Sequence, residues 1–361
     1  MAHVHEQDVV TVREIPRAPL AAIAWFVLAV ALVATAAWEW RMRSLGLVAG
    51  DLADGKSSWA VERRKLESGE HDGVVLIGGS RILFDTNLDV FQENTGRRPV
   101  QLAMPGWNGQ PVLKDIAENS RFAGLVVMDD SPTQLFRQGG GGHPLFTGVL
   151  EYWRDEGPAR RASHRIENFL SRWLAFLDDN YSLMTLIDRV DIPNRGRIRG
   201  PYLSVWKLSE RYADRQYVMW RKIETNERLR QHAIRVWLGR DLPPVSDEVI
   251  AGICADIARS VEKIRARGGE VVFLRPPSTG DVYTREEGIA PRVATWDRML
   301  RESRAFGINF EDYPNMQGLN LPDLSHLTRE DASRFTRAYV DVLLREGHVG
   351  LRTPLEAEPA G

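Results

Sequence analysis

The chain has 361 residues, 43% hydrophobic and 27% charged, with a formal net charge of -2. That length holds one large domain or two average ones, and the composition is globular, not disordered. Near-neutral charge and the lack of any nucleic-acid motif argue against a nucleic-acid partner, while the lone Cys254 excludes an internal disulfide and a cysteine metal cage.

Residues 1–17 are polar and of mixed charge, and are expected to form a cytoplasmic tail. From Leu20 to Trp38 the sequence reads LAAIAWFVLAVALVATAAW, with no charge between Arg17 and Glu39. At ~1.5 Å per residue this run spans about 30 Å, the thickness of one hydrocarbon core. Trp38 and Trp40 fall where interfacial aromatics sit. Residues 18–40 are therefore expected to be a transmembrane helix. Ala34-Thr35-Ala36 resembles a signal-peptidase site, but the run exceeds a usual signal core, which favours a retained anchor. Arg13 and Arg17 before the span nearly balance Arg41 and Arg43 after it. A single N-terminal span ahead of one long domain favours an inner-membrane signal anchor, with that domain outside the cytoplasm.

Residues 41–72 have partial helical spacing (Leu52, Trp59, Val61, Leu66) and are expected to form a stalk or cap helix. Strands and helices then alternate. Val74–Ile77 is an apolar, β-branched run that stops at Gly78-Gly79 and presents Ser80-Arg81, as a strand buried on both faces would. Residues 87–94 suit a helix capped by Thr86 and stopped by Gly96. Residues 99–104 form a second strand ending at Pro105-Gly106, 110–119 a helix, and 125–128 a third strand before Asp129-Asp130-Ser131-Pro132. This alternation predicts a parallel sheet with right-handed crossovers.

The alternation breaks at Gly139–Gly142. Residues 144–240 read as a helical insertion without strands, carrying five tryptophans (153, 173, 206, 220, 237) and 18 Lys and Arg against 12 Asp and Glu. Solvated or paired arginines account for such an excess; a basic lid for an anionic polymer or lipid headgroups is the sharper alternative. A long helix over 245–267, a strand over 270–274 ending at Arg275, a helix over 291–304 and an edge strand over 308–310 follow. Thr328 caps the last helix, with Asp331 in a capping-box position. The tail, 351–361, is polar. The expected fold is α/β: a three-layer sandwich with a mostly parallel, flavodoxin-like sheet over 73–350, interrupted by the helical insertion and hung from one N-terminal transmembrane helix.

A serine needs an adjacent base that is itself oriented by a third group. Asp323-x-x-His326 offers both, with the carboxylate on one imidazole nitrogen and the other free to take the Ser80 proton. Here the chain resembles the SGNH/GDSL hydrolases over roughly residues 73–132 and 245–346. Gly78-Gly79-Ser80 matches that family's first block, with Gly79 where Asp is usual; Gly106 matches the second, and Asp323-Leu324-Ser325-His326 the last. The third block departs, since Met128-Asp129-Asp130-Ser131 stands where Gly-x-Asn-Asp would. An ionised Asp has no proton to donate to an oxyanion.

The resemblance implies an acyl-Ser80 intermediate, His326 as base then acid, Asp323 as its orienter, and the N–H groups of Ser80 and Gly106 as oxyanion donors, with Asn108 a substitute side chain. Arg81 and Arg275, at strand ends, could grip an anionic substrate, although ion pairs with Asp85, Asp129 or Asp130 compete. His143 could flank the cleft. No cofactor or metal is implied. Membrane-anchored members with a Gly-Ser-Arg block are similar to alginate O-acetylation proteins. This implies an O-acetyltransferase or acetylesterase acting on an exported polysaccharide or cell-envelope glycan, with a multispanning acyltransferase as partner. The competing expectation is a non-catalytic scaffold or glycan-binding module.

Overall fold

A computed structural model describes residues 19–137, 144–182, 185–186, 207–239 and 242–348. The two termini, the glycine run, His143 and Trp206 lie outside these residues. The chain divides into residues 1–47 and 48–361.

In the first unit, helix α1 (Leu20–Ser44) has 25 residues, and its most apolar 18-residue stretch has a mean hydropathy of 2.5, so it is long and apolar enough to cross a membrane. It runs four residues past the expected end at 40, with Arg41 and Arg43 in its last turn, where cations complement the helix dipole.

The second unit is mixed α/β. Five strands, β1 (Val74–Ile77), β2 (Val100–Gln101), β3 (Leu125–Asp129), β6 (Glu270–Arg275) and β7 (Phe306–Asn309), pair in parallel in the order β2-β1-β3-β6-β7. β1 and β3 are buried along their whole length, as their continuous apolar runs require. Only two residues of the expected second strand are regular; Leu102 and Met104 continue as N–H donors to the carbonyls of Leu76 and Gly78.

Helices α2 (Lys56–Ser68), α3 (Ser80–Asp85), α4 (Leu88–Thr95) and α5 (Gln110–Asn119) lie in the first half. α2 is no stalk. Trp59 and Leu66 join the core, Trp59 Nε1 donates to the Leu102 carbonyl at 3.0 Å, and buried Arg63 pairs with Asp115 at 2.9 Å. Asn87 caps α4, not Thr86: its side chain accepts from the N–H groups of Asp89 and Val90. Thr86 instead follows α3 and accepts from the buried Tyr339 hydroxyl.

The insertion carries short α6 (Pro132–Leu135) ahead of it, then α7 (Pro144–Asp155), α8 (Pro158–Ser171), α9 (Arg221–Thr225) and α10 (Glu227–Leu238). Contrary to expectation it also holds an antiparallel hairpin, β4 (Ser209–Arg211) and β5 (Tyr217–Met219). Ser-Glu-Arg has no apolar signal, yet these residues are buried because charges pair them. Arg211 meets Asp51, while Arg215 in the turn grips Asp54 through two nitrogens at 2.7 and 2.8 Å and donates to the Gln101 carbonyl.

α11 (Asp247–Arg265) buries Ile250, Ile253, Ile257, Val261 and Ile264, each contributing roughly 1.5–3 kcal/mol. α12 (Gly280–Ile289) has no counterpart in the sequence reading, and α13 (Trp296–Ser303) starts five residues late. α14 (Arg329–Glu346) is capped by Thr328, but Asp331 accepts from Asn320 N–H rather than closing a reciprocal box.

Candidate active site

The site is built where β1 stops. Gly78 has φ +143°, and a Cβ there would lie 2.4 Å from the Cβ of Asp129. Gly79 donates its N–H to Asp129 Oδ2 at 3.0 Å, and Ser80 becomes the first residue of α3. A Cβ on Gly79 would stand 2.7 Å from the Trp107 carbonyl oxygen. That close approach leaves no room for a side chain at position 79. Gly79→Asp is therefore expected to destabilise by about 1–3 kcal/mol, the usual cost of overpacking, read as a lower midpoint in urea unfolding.

His326 Nε2 lies 2.8 Å from Ser80 Oγ, and His326 Nδ1 lies 2.7 Å from Asp323 Oδ2. The loop carrying the pair is set by its own backbone. Asp323 Oδ1 accepts the N–H groups of Ser325 and His326 at 3.1 and 2.8 Å, and Leu324 is held at φ +67°, a strained conformation for a branched residue. Burial of Asp323 opposes its charge, but attraction to His326 and these hydrogen bonds hold its pKa below the ordinary value. His326 is buried, with the Phe84 ring tilted against it at 4.5 Å and the Trp237 ring edge-on at 5.5 Å.

Trp237 was not foreseen as a site residue. Its Nε1 donates to Asp323 Oδ2 at 3.1 Å, so α10 of the insertion supplies the carboxylate's fourth hydrogen bond. Among the other tryptophans of the insertion, Trp153 packs on the core, Trp220 is buried and Trp173 is exposed. Trp237→Phe keeps the apolar wall but removes a bond to a charged group, worth about 1.5–3 kcal/mol. The variant should lose stability of that order, read as a lower midpoint in urea unfolding.

The remaining candidates separate. Gly106, at φ +75°, lines the same cleft as Ser80 and His326. Asn108 does not; its amide donates to the Gln134 carbonyl and its oxygen accepts from Gln110 N–H, which ties it into the loop. Arg81 touches the cleft but is 3% exposed and pairs with Glu286 at 2.5 and 3.2 Å, not with the expected Asp85, Asp129 or Asp130. Arg275 is wholly buried and donates to Glu287 at 2.6 Å; it does not line the cleft. Arg275 is thus held inside the protein, whereas Arg81 stands at the cleft wall, held there by Glu286.

Asp129 turns under the Gly78-Gly79 loop. Burial pushes its pKa to about 6, against the pull of Arg81 and the N–H groups of Gly79 and Ile82. Asp130 is pushed by burial to about 7, with Arg275 opposing and Asp129 adding. Because the folded pKa of Asp130 is raised from 3.8, the folded state binds more protons than the unfolded one across that window, and stability is lost as pH rises through it. Asp130→Asn stays neutral, so its melting temperature should fall less than that of wild type between about pH 5 and about pH 8.

The cleft has a volume of about 500 Å³. Besides the catalytic candidates, Ser131, Gln134, Trp237 and the cations Arg137, Arg211 and Arg285 line it. Arg285 donates to the Trp237 carbonyl at 2.9 Å, and Arg211 meets Asp51 and Asp179. Among the described residues no group of three or more His, Cys, Asp and Glu side chains is disposed to hold a metal ion. A comparison with family models finds no match to this chain, and a comparison with curated proteins finds none either.

Proposed function

We propose that this protein is an SGNH-like serine acyl-transfer enzyme, anchored by α1 with its α/β unit outside the cytoplasm. The observation that carries the reading is the continuous Ser80–His326–Asp323 relay, at 2.8 and 2.7 Å. The strand order, 2-1-3-4-5 when only the parallel strands are counted, is that of flavodoxin-like doubly wound sheets and supports a three-layer sandwich. Ser80 follows β1, at the point where the order reverses and such folds hold ligands.

In the first step Ser80 Oγ attacks the ester carbonyl while His326 Nε2 takes its proton. The N–H groups of Ser80 and Gly106 receive the oxyanion. Collapse gives acyl-Ser80, and the leaving alcohol takes the proton from His326. A sugar hydroxyl or water then attacks the acyl carbonyl, His326 removing its proton, and collapse expels Ser80 Oγ, which takes that proton back from His326. The open, arginine- and tryptophan-lined cleft suits an O-acylated glycan of the cell envelope. A multispanning acyltransferase would supply the acyl group in the transferase form.

The second reading, a glycan-binding scaffold, is favoured by one observation: Asp129 and Asn108 are both committed to loop contacts, so neither side chain is offered to an oxyanion. A fluorophosphonate probe separates the two. Labelling of wild type and not of Ser80→Ala supports the enzyme; an unlabelled, folded wild type leaves the scaffold.

A further inference from the structure

α8 is amphipathic in the reverse of the usual sense. Ala159, Ala162, Ile166, Phe169 and Leu170 recur at the spacing of one helical face, yet Ile166 and Phe169 are each 60% exposed and Leu170 43%. Trp173, at the same spacing just beyond the helix, is 67% exposed. The buried side is narrow and polar, made by His164 and Ser171. Arg160, Arg161, Arg165 and Arg172 are exposed, against the single acid Glu167 from Pro158 to Arg172.

Chain connectivity adds a second observation. Gly50 N–H donates to the Ser171 carbonyl at 2.8 Å, and Val48 is 40% exposed. Gly50 lies six positions beyond Ser44, where α1 ends, a reach of at most about 20 Å.

We propose that α8 is an interfacial helix whose Ile166, Phe169, Leu170 and Trp173 face enters the headgroup–acyl boundary of the bilayer that α1 spans. The inference rests on the anchor reading of α1. Apolar side chains leave water at that boundary, while flanking arginines extend to anionic headgroups. Arg161 pairs with Glu156 and Arg160 lies over the Tyr152 ring; a protein groove would accept the apolar face as well, but would leave Arg165, Arg172 and the short tether to α1 without a role.

The test uses the full chain in protein-free vesicles of phosphatidylcholine with phosphatidylglycerol. Cys254, the only native thiol, is buried, so bimane can be placed on Ile166→Cys, Phe169→Cys, Asp341→Cys or Val27→Cys singly. The expected result is loss of iodide quenching and gain of quenching by nitroxide-labelled lipid at 166 and 169, with the reverse at exposed Asp341. Iodide quenching at 166 and 169 equal to that at 341 overturns the proposal, including in favour of a protein occupant. The Val27 label reports the anchor separately. Lipid quenching there without it at 166 and 169 sinks α8 alone, whereas its absence at Val27 sinks the anchor reading. Ile166→Glu/Phe169→Glu, with bimane at Trp173→Cys, should restore iodide access at 173 without releasing the chain from vesicles.

Discussion

If acyl-Ser80 forms as proposed, Ser80→Ala should lower ester turnover by about 10⁴- to 10⁶-fold, the loss seen when a nucleophile that acts with its base is removed. The expectation follows from how completely the pair is built. Ser80 Oγ has its base at 2.8 Å, and that base is fixed by a carboxylate holding four hydrogen bonds. Because the residues act as a unit, Ser80→Ala/His326→Ala should cost no more than either single change. Asp323→Asn should cost about 10⁴-fold, since an amide can favour the wrong imidazole tautomer. Steady-state kinetics on an acyl ester, with circular dichroism to show that each variant is folded, decides the matter. Undiminished turnover in a folded Ser80→Ala would end the acyl-enzyme mechanism.

Arg81→Met should destabilise the protein by about 3–5 kcal/mol, the cost of stranding one member of a buried ion pair. Glu286 has Arg81 on both oxygens, plus the Ser278 hydroxyl at 2.7 Å, and is itself buried. Without Arg81 its charge has no comparable partner. Arg81→Met/Glu286→Leu should regain most of the loss, because a hydrophobic pair carries no desolvation cost. Urea unfolding of the two single variants and the double closes the cycle. A double variant as unstable as the sum of the singles would show that Arg81 acts through Ser325, to which its Nε donates at 3.3 Å, and not mainly through Glu286.

The parts of the site legible in the sequence are those whose chemistry is local. Ser80 follows two glycines at the end of an apolar run, and Asp323 and His326 share one turn of chain. Their convergence depends only on strand ends, which the alternation of strands and helices locates. Trp237 and Glu286 were not legible because their partners lie 86 and 205 residues away, and a tryptophan or glutamate in a helix carries no mark of such a distant bond. The hairpin at Ser209–Met219 was missed for a related reason. Sequence patterning finds strands buried by apolar side chains, whereas Ser209-Glu210-Arg211 is buried by paired charge. Thr86 and Asn87 are both good caps, and tertiary bonds decide between them: Tyr339 donates to Thr86, while Asn87 is held by Thr336 and Ser333.

The hairpin also limits how far this chain can be shortened. Arg215 neutralises Asp54 and satisfies the Gln101 carbonyl beside β2, Gln216 accepts the Leu88 N–H, and Trp237 completes Asp323. Excising residues 144–240 to leave a minimal α/β unit would remove all four contacts at once. The insertion therefore behaves less as an appendage than as a keystone, and its loss would take the scaffold of the site with it.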